Sequence, residues 1–340
     1  MNGALLRYAW LTGTLLAAAA FVSLRMSMSS VYIGADLSAL MMGDAHIPYQ
    51  YRVLVPIAVR GVTALGLGAP LAWLLAPLGI AGLSDSFAVP PDVIATYLAV
   101  EILSVWGILV SFRALAALFV PRFAVQAGAA LVLLAALGVL PLCSPGSRLW
   151  YPSDMPAVLV VVVSYLLLFS GRVGLFCALF PAATLNRETT LFLLPLLFLL
   201  PQAVLRAPHA KACGVALALC WMLEKAALYL AFRGNHGFPL HPNVVVNLES
   251  VREISLLATV ALIALGSALL YWASAVRRHD ARLLAAWRAA LIFVAALFLA
   301  GKMDEMRIYL ELLPLAALAL LVAVAPTGPS TAAAESSVAS

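Results

Sequence analysis

Short polar motifs interrupt an otherwise apolar chain of 340 residues, and they carry groups able to move a proton or hold an anion. In the first, GADLSALMMGDAHIPYQYRVLVPIAVR, Asp36 and Asp44 stand near His46 and Arg52. Either aspartate can serve as a base toward an incoming hydroxyl, or be a solvated loop charge. In the second, Tyr151-Pro152-Ser153-Asp154-Met155-Pro156, the acid stands at the entry of an apolar run, where it can meet substrate or cap a helix. The third, Asn186-Arg187-Glu188-Thr189, sets an arginine and an acid deep in apolar context, which is costly unless they face protein or water. Arg187 has the planar, permanently charged fork that suits phosphate, and a buried ion pair with other helices is the competing role. Neighbours on a helix point about 100° apart, so Arg187 and Glu188 are free to take different partners.

The fourth motif, Lys302-Met303-Asp304-Glu305-Met306-Arg307, is followed by Tyr309 and Glu311. Arg307 and Glu311 share a helix face, so a local salt bridge is the simple alternative to a ligand-binding role for Glu305 and Arg307. Residues 233–253 add His236, His241, Asn243, Asn247 and Glu249 without a metal-ligand spacing, and read as a flexible polar loop. Glu224-Lys225, inside a later apolar run, reads as a structural polar contact.

The elements that must hold these groups are set by composition. Hydrophobic residues make up 64% of the chain and charged ones 10%, with a mean hydropathy of +1.05, which leaves a soluble fold no polar surface. The expected class is an all-α polytopic transmembrane bundle. Apolar runs fall at 4–24, 92–112, 123–142, 155–170, 173–185, 189–201, 212–232, 254–276, 284–301 and 305–325, so about ten spans are expected. The first is read as a signal anchor. Residues 1–325 form one membrane domain, with 26–91 a long first outer loop carrying interfacial helices; 326–340 is expected to be a disordered cytoplasmic tail. The run from Arg172 to Leu200 is read as two half-helices meeting at Asn186–Glu188, since a single span would bury that triplet.

With the amino terminus cytoplasmic, the inner loops receive Arg7, Arg113, Arg122, Arg172, Arg206, Lys211, Arg277, Arg278, Arg282 and Arg288 against one acid, Asp280. The outer loops receive the acidic motifs, and the cation bias supports this orientation. The net charge of +5 is scattered at run ends, which speaks against a nucleic-acid partner. The four cysteines follow neither metal nor disulfide spacing and read as packing residues. Nucleotide loops, GxSxG, HExxH and DxD are absent.

A first outer loop with acids, YRVLVP behind it, then YPSDMP, NRET and a final DEMRIYLELLP resembles bacterial membrane glycosyltransferases of the GT-C superfamily, mannosyltransferase-like, over residues 1 to about 325. The resemblance implies a polyprenyl-phosphate-linked sugar donor, a glycan, lipid or protein acceptor, and an active site facing the periplasm from the bacterial inner membrane. It makes Asp36 or Asp44 the catalytic base. It makes Arg52, Arg187 and Arg307 ligands of the carrier phosphate, with Asp154, Glu188 and Glu305 orienting hydroxyls or arginines. Arginines would stabilise the departing phosphate, and a single displacement would invert the anomeric centre. A divalent metal is compatible with the outer acids, but their spacing does not require one. The competing class is a transporter or flippase for a lipid-linked or anionic substrate, built on broken helices.

Overall fold

The computed structural model describes residues 3–30, 33–140, 149–237, 243–251, 254–301 and 306–325. The expected tail, 326–340, lies outside the described residues. The described chain is all-helical and forms no strand, with isolated bridges between Ser30 and Leu149 and between Ile47 and Gly237.

The first long helix, α1 (Gly3–Ser27), buries Thr14, Ala18, Val22 and Met26, a stripe repeating every four residues, and leaves Leu5, Tyr8, Leu16 and Leu24 exposed. Its last-turn carbonyls are satisfied by hydroxyls: Ser27 Oγ donates to Leu24 O and Ser29 Oγ to Arg25 O. The first loop then folds into short helices α2 (Leu37–Met42), α3 (Leu54–Ala64), α4 (Gly68–Leu75) and α5 (Ile80–Phe87). The apolar stretches Leu54–Ala64 and Gly68–Leu78 meet at 99°, and Trp73 is 81% exposed. That segment is thus a sharply bent apolar hairpin.

At the centre stands α6 (Pro91–Ala116), started by Pro91 in its first turn and flanked by Asp92 and Arg113 at the ends that suit their charges. It contacts α1, α3, α4 and α5, and also α7 (Phe123–Val139) and α8 (Asp154–Phe169). A Cβ at Gly107 would stand 3.0 Å from Leu159, so glycine permits the close approach of α6 and α8. The chain continues through α9 (Val173–Asn186), α10 (Leu196–Leu199), α11 (Gln202–Leu205), α12 (Ala210–Ala231), α13 (Val244–Val251), α14 (Ile254–Tyr271), α15 (Ala281–Ala300) and α16 (Leu313–Val324).

Among the described residues four helices are long and apolar enough to cross a membrane, or five if the bent pair counts as one. The expected ten runs do fold as helices, but most are shorter than a full span. Internal or flanking prolines divide the later ones: Pro181 lies inside α9, Pro195 caps α10 and Pro314 opens α16. The break expected near Asn186–Glu188 is present. Arg187 takes an extended backbone (φ −158°, ψ 141°), which ends α9 and starts a 3-10 helix, Glu188–Leu193.

The bundle has a basic end. There Arg282 lies 4.1 Å from the Phe119 ring centroid and Arg113 5.1 Å from that of Phe123, Phe119 packs on Phe169, and Arg278 donates to Ala325 O. At the opposite end, Trp150 packs on Phe87 and Tyr97, and Trp150 N donates to Ser30 O. Between the two, α8 runs from Asp154 to Phe169, roughly 24 Å of rise for its 16 residues.

Candidate functional site

The end of the bundle that carries Trp150 gathers three of the sequence motifs. Its first wall is α2, whose N-cap is Asp36: Oδ1 accepts from Ala39 N and from Ser38 Oγ. Gly43 ends α2 in the left-handed region, where glycine is favoured, and Asp44 follows with its side chain exposed. The two predicted bases therefore differ. Asp36 spends one oxygen on a helix cap, whereas Asp44 faces solvent.

The loop after α12 is clasped onto this wall. Asn235 Nδ2 donates to Gly43 O and Ala45 O at 2.7 and 2.9 Å, Ile47 N donates to His236 O, and the His46 and His236 rings meet edge-on at 5.8 Å. Gly237 has φ +104°, and a Cβ there would stand 2.5 Å from Ile47 O, so only glycine fits. His241 lies outside the described residues, and Glu249 is exposed. Asn243 N and Asn247 Nδ2 bond Leu299, Phe298 and Gly301 carbonyls, so these asparagines hold α13 to the end of α15 and are not a loose loop.

Behind α2 lies a small cavity lined by Leu40, Tyr49, Arg52, Tyr151, Pro152 and Ser153. The Tyr49 and Tyr151 rings stack with centroids 5.0 Å apart and planes within 10°. Arg52 lies 5.5 Å from the Tyr49 ring centroid and donates from Nη2 to Glu188 Oε1 at 3.2 Å. Trp221 Nε1 holds the Glu188 carbonyl at 3.1 Å. Lys225 Nζ donates to Thr184 O at 2.9 Å, a lysine satisfying the carboxyl end of α9, so its partner is not the adjacent Glu224. Beside the cavity wall, burial pushes the Tyr51 phenol above its ordinary range, and Tyr229 pushes it the same way, so it is a neutral donor.

A chain of buried charges runs inward from this cavity. Asp154 is fully buried and receives Arg25 Nη2 on Oδ2 and Arg187 Nη1 on Oδ1, each at 3.3 Å. Arg25 also reaches Glu101 Oε2 at 3.5 Å, and Arg187 Nε lies 3.2 Å from Glu311 Oε1, which accepts from Thr189 Oγ1 at 2.9 Å. Asn186 Nδ2 donates to Ser153 O at 3.1 Å. The alternative role of Asp154 as a helix cap is not realised: Ser153 is the N-cap, and Asp154, the first helical residue, turns its carboxylate to two arginines. Arg187 is 4% exposed and engaged by two carboxylates, so in this arrangement its fork faces protein.

The structure thus joins Arg52 to Glu188 and Asp154 to Arg187, and sets Asp36 and Asp44 at the two ends of α2. Glu305 lies outside the described residues, as does the side chain of Arg307, whose backbone belongs to a 3-10 helix, Met306–Leu312. Sequence reading missed Arg25 and Glu101. Each is a lone charge in an apolar run, a signal that already marked Arg187. Among the described residues no group of three or more His, Cys, Asp or Glu is arranged to hold a metal ion. Comparison with protein-family models, curated proteins and solved structures finds no match to this chain.

Proposed function

We propose that this chain is a membrane glycosyltransferase of GT-C type, which moves a sugar from a polyprenyl-phosphate carrier to an acceptor with inversion, at the non-cytoplasmic face of a bacterial inner membrane. The observation that carries the reading is the meeting of the first loop and the YPSDMP motif in the walls of one cavity, with the NRET motif tied to its Arg52. They meet through the Tyr49–Tyr151 stack and the Arg52–Glu188 pair. Aromatic faces suit the apolar faces of a sugar ring, and a guanidinium suits the phosphate on which charge develops as the glycosidic bond breaks.

Within this reading the ten apolar runs are ten crossings, the shorter ones crossing where the bilayer thins or where a broken neighbour completes the path. Asp44 is the preferred base, because its carboxylate is exposed whereas Asp36 is tied into a cap. Arg52 is the preferred phosphate ligand. Arg187 acts as a positioning residue, holding Asp154 and Glu311 beneath the cavity. The break at Arg187 also favours a second reading, a transporter or flippase using half-helices α9 and Glu188–Leu193.

The test is transfer by the purified full chain from a panel of radiolabelled polyprenyl-phosphate sugars, with an acceptor-rich membrane extract present. Transfer that disappears in Arg52→Ala supports the enzyme. Absence of transfer from every donor, together with movement of a labelled lipid-linked sugar across proteoliposomes, moves the assignment to the transporter.

A further inference from the structure

Phe169, whose ring packs on Phe119 at the basic end, leads into a corner with four exposed basic side chains: Arg172, Arg206, His209 and Lys211. The fold forces them together. Gly171 takes φ +72°, and a Cβ on it would stand 2.9 Å from Val204 O and 3.1 Å from the Arg206 side chain, so the turn before α9 lies on the turn after α11. Arg206 itself stands in the left-handed region at φ 52°, uncommon for a residue with a Cβ. One turn further in, the Cys177 thiol hydrogen-bonds that of Cys213, which sets the start of α9 beside the start of α12.

No acid of these elements offsets the charge. Asp and Glu are absent from residues 155–187 and 189–223, and among the described residues none of the four basic groups makes an ion pair. By contrast, Arg282 is held by Asp280, Arg278 by Ala325 O, and Arg113 by Gln126 and the Phe123 ring. Directly beyond the cations the surface turns apolar. Lys211, Val215, Leu219 and Met222 follow at helical spacing on α12 and are all exposed, as is Leu175 in the first turn of α9. α12 is one of the helices long and apolar enough to cross a membrane. A cationic rim above an apolar flank matches an amphiphile with an anionic head.

We propose that Arg172, Arg206 and Lys211, with His209 beside them, bind the phosphodiester headgroup of an anionic phospholipid whose acyl chains lie along the exposed face of α12. The guanidinium forks suit phosphate oxygens, and the ammonium adds a point charge. Cations at the end of a spanning helix draw such lipids to the protein over about a Debye length. The inference rests on α12 crossing a membrane and is independent of the proposed transferase activity.

The test is native mass spectrometry of the full chain in a maltoside detergent, titrated with dioleoyl phosphatidylglycerol or dioleoyl phosphatidylcholine. Wild type is expected to bind the glycerol lipid about tenfold or more tightly, a preference that falls to within about twofold when Arg172→Gln, Arg206→Asn and Lys211→Gln are combined. Asparagine is used at 206 because it tolerates left-handed backbone. Arg277→Gln, an exposed cation of the basic end outside the corner, is expected to keep the preference, and inorganic phosphate is expected to leave the lipid bound. Where the combined variant does not fold, Arg172→Gln alone is expected to weaken phosphatidylglycerol binding about threefold or more. Equal affinity of wild type for the two lipids overturns the proposal. So does a preference undiminished in the combined variant or in Arg172→Gln, or displacement of the lipid by inorganic phosphate, which marks a site for free anions.

Discussion

Arg52 Nη2 and Glu188 Oε1 lie 3.2 Å apart although 136 positions separate them in the chain. The pair ties the first loop to the break between α9 and the 3-10 helix Glu188–Leu193, the two places where the sequence departs most from an apolar run. Glu188 is 35% exposed, so solvent screens the interaction. A double-mutant cycle of Arg52→Ala and Glu188→Gln, read by thermal unfolding in detergent, is expected to give a coupling of about 1 kcal/mol or less. A larger coupling contradicts a partly solvated pair.

Asp154 is a different case, because it is fully buried and stands between two arginines, Arg25 and Arg187. Asp154→Asn leaves Arg25 and Arg187 short of charge and is expected to destabilise the chain by about 3–5 kcal/mol. The loss shows as a large drop in the unfolding midpoint. A drop no larger than that of an exposed Asp85→Asn control contradicts the network.

The stack of Tyr49 on Tyr151 assigns the ring, not the hydroxyl, to the cavity wall. Under the proposed transferase reading, Tyr151→Phe is expected to keep sugar transfer within about twofold, and Tyr151→Ala to lose about tenfold or more, since an aromatic contact contributes about 0.5–1.5 kcal/mol beyond the area it buries. Equal losses in the two variants point to the hydroxyl instead.

Gly237 is held at φ +104° with Ile47 O in the place of a side chain. Gly237→Ala is expected to unclasp residues 233–237 from 43–47, at roughly 1–3 kcal/mol of local strain. Limited proteolysis of the intact protein reads this as new cleavage near Arg233, and unchanged cleavage argues against the clasp.

Orientation is read by cysteine labelling at Asp85 and Arg277, both exposed, in a chain freed of its native cysteines. Label from the periplasmic side is expected to reach position 85 and not 277. Labelling of both from one side contradicts the expected orientation.

Much of the helical frame was legible because lipid-facing helices announce themselves as apolar runs, and the interruption at Arg187 was legible because charge there has no apolar use. The span count was less so. A run such as 173–185 has the right composition, but the extended Arg187 stops the helix at 14 residues. Asp154 looked like a cap because Ser and Asp at a helix start usually are; only the fold reveals Arg25, 129 positions away, pointing at it. Glu101 shows in the sequence only as an isolated charge, its partner lying 76 positions off. Local spacing identifies an isolated charge, and tertiary packing alone supplies what it meets.

The most direct measurement is sugar transfer from radiolabelled polyprenyl-phosphate donors by folded wild type, Asp44→Asn, Asp36→Asn and Arg52→Ala proteins side by side. The account predicts transfer by wild type, near-complete loss in Asp44→Asn and Arg52→Ala, and substantial retention in Asp36→Asn. Transfer that survives in both Asp44→Asn and Arg52→Ala, or is absent from wild type with every donor, contradicts it.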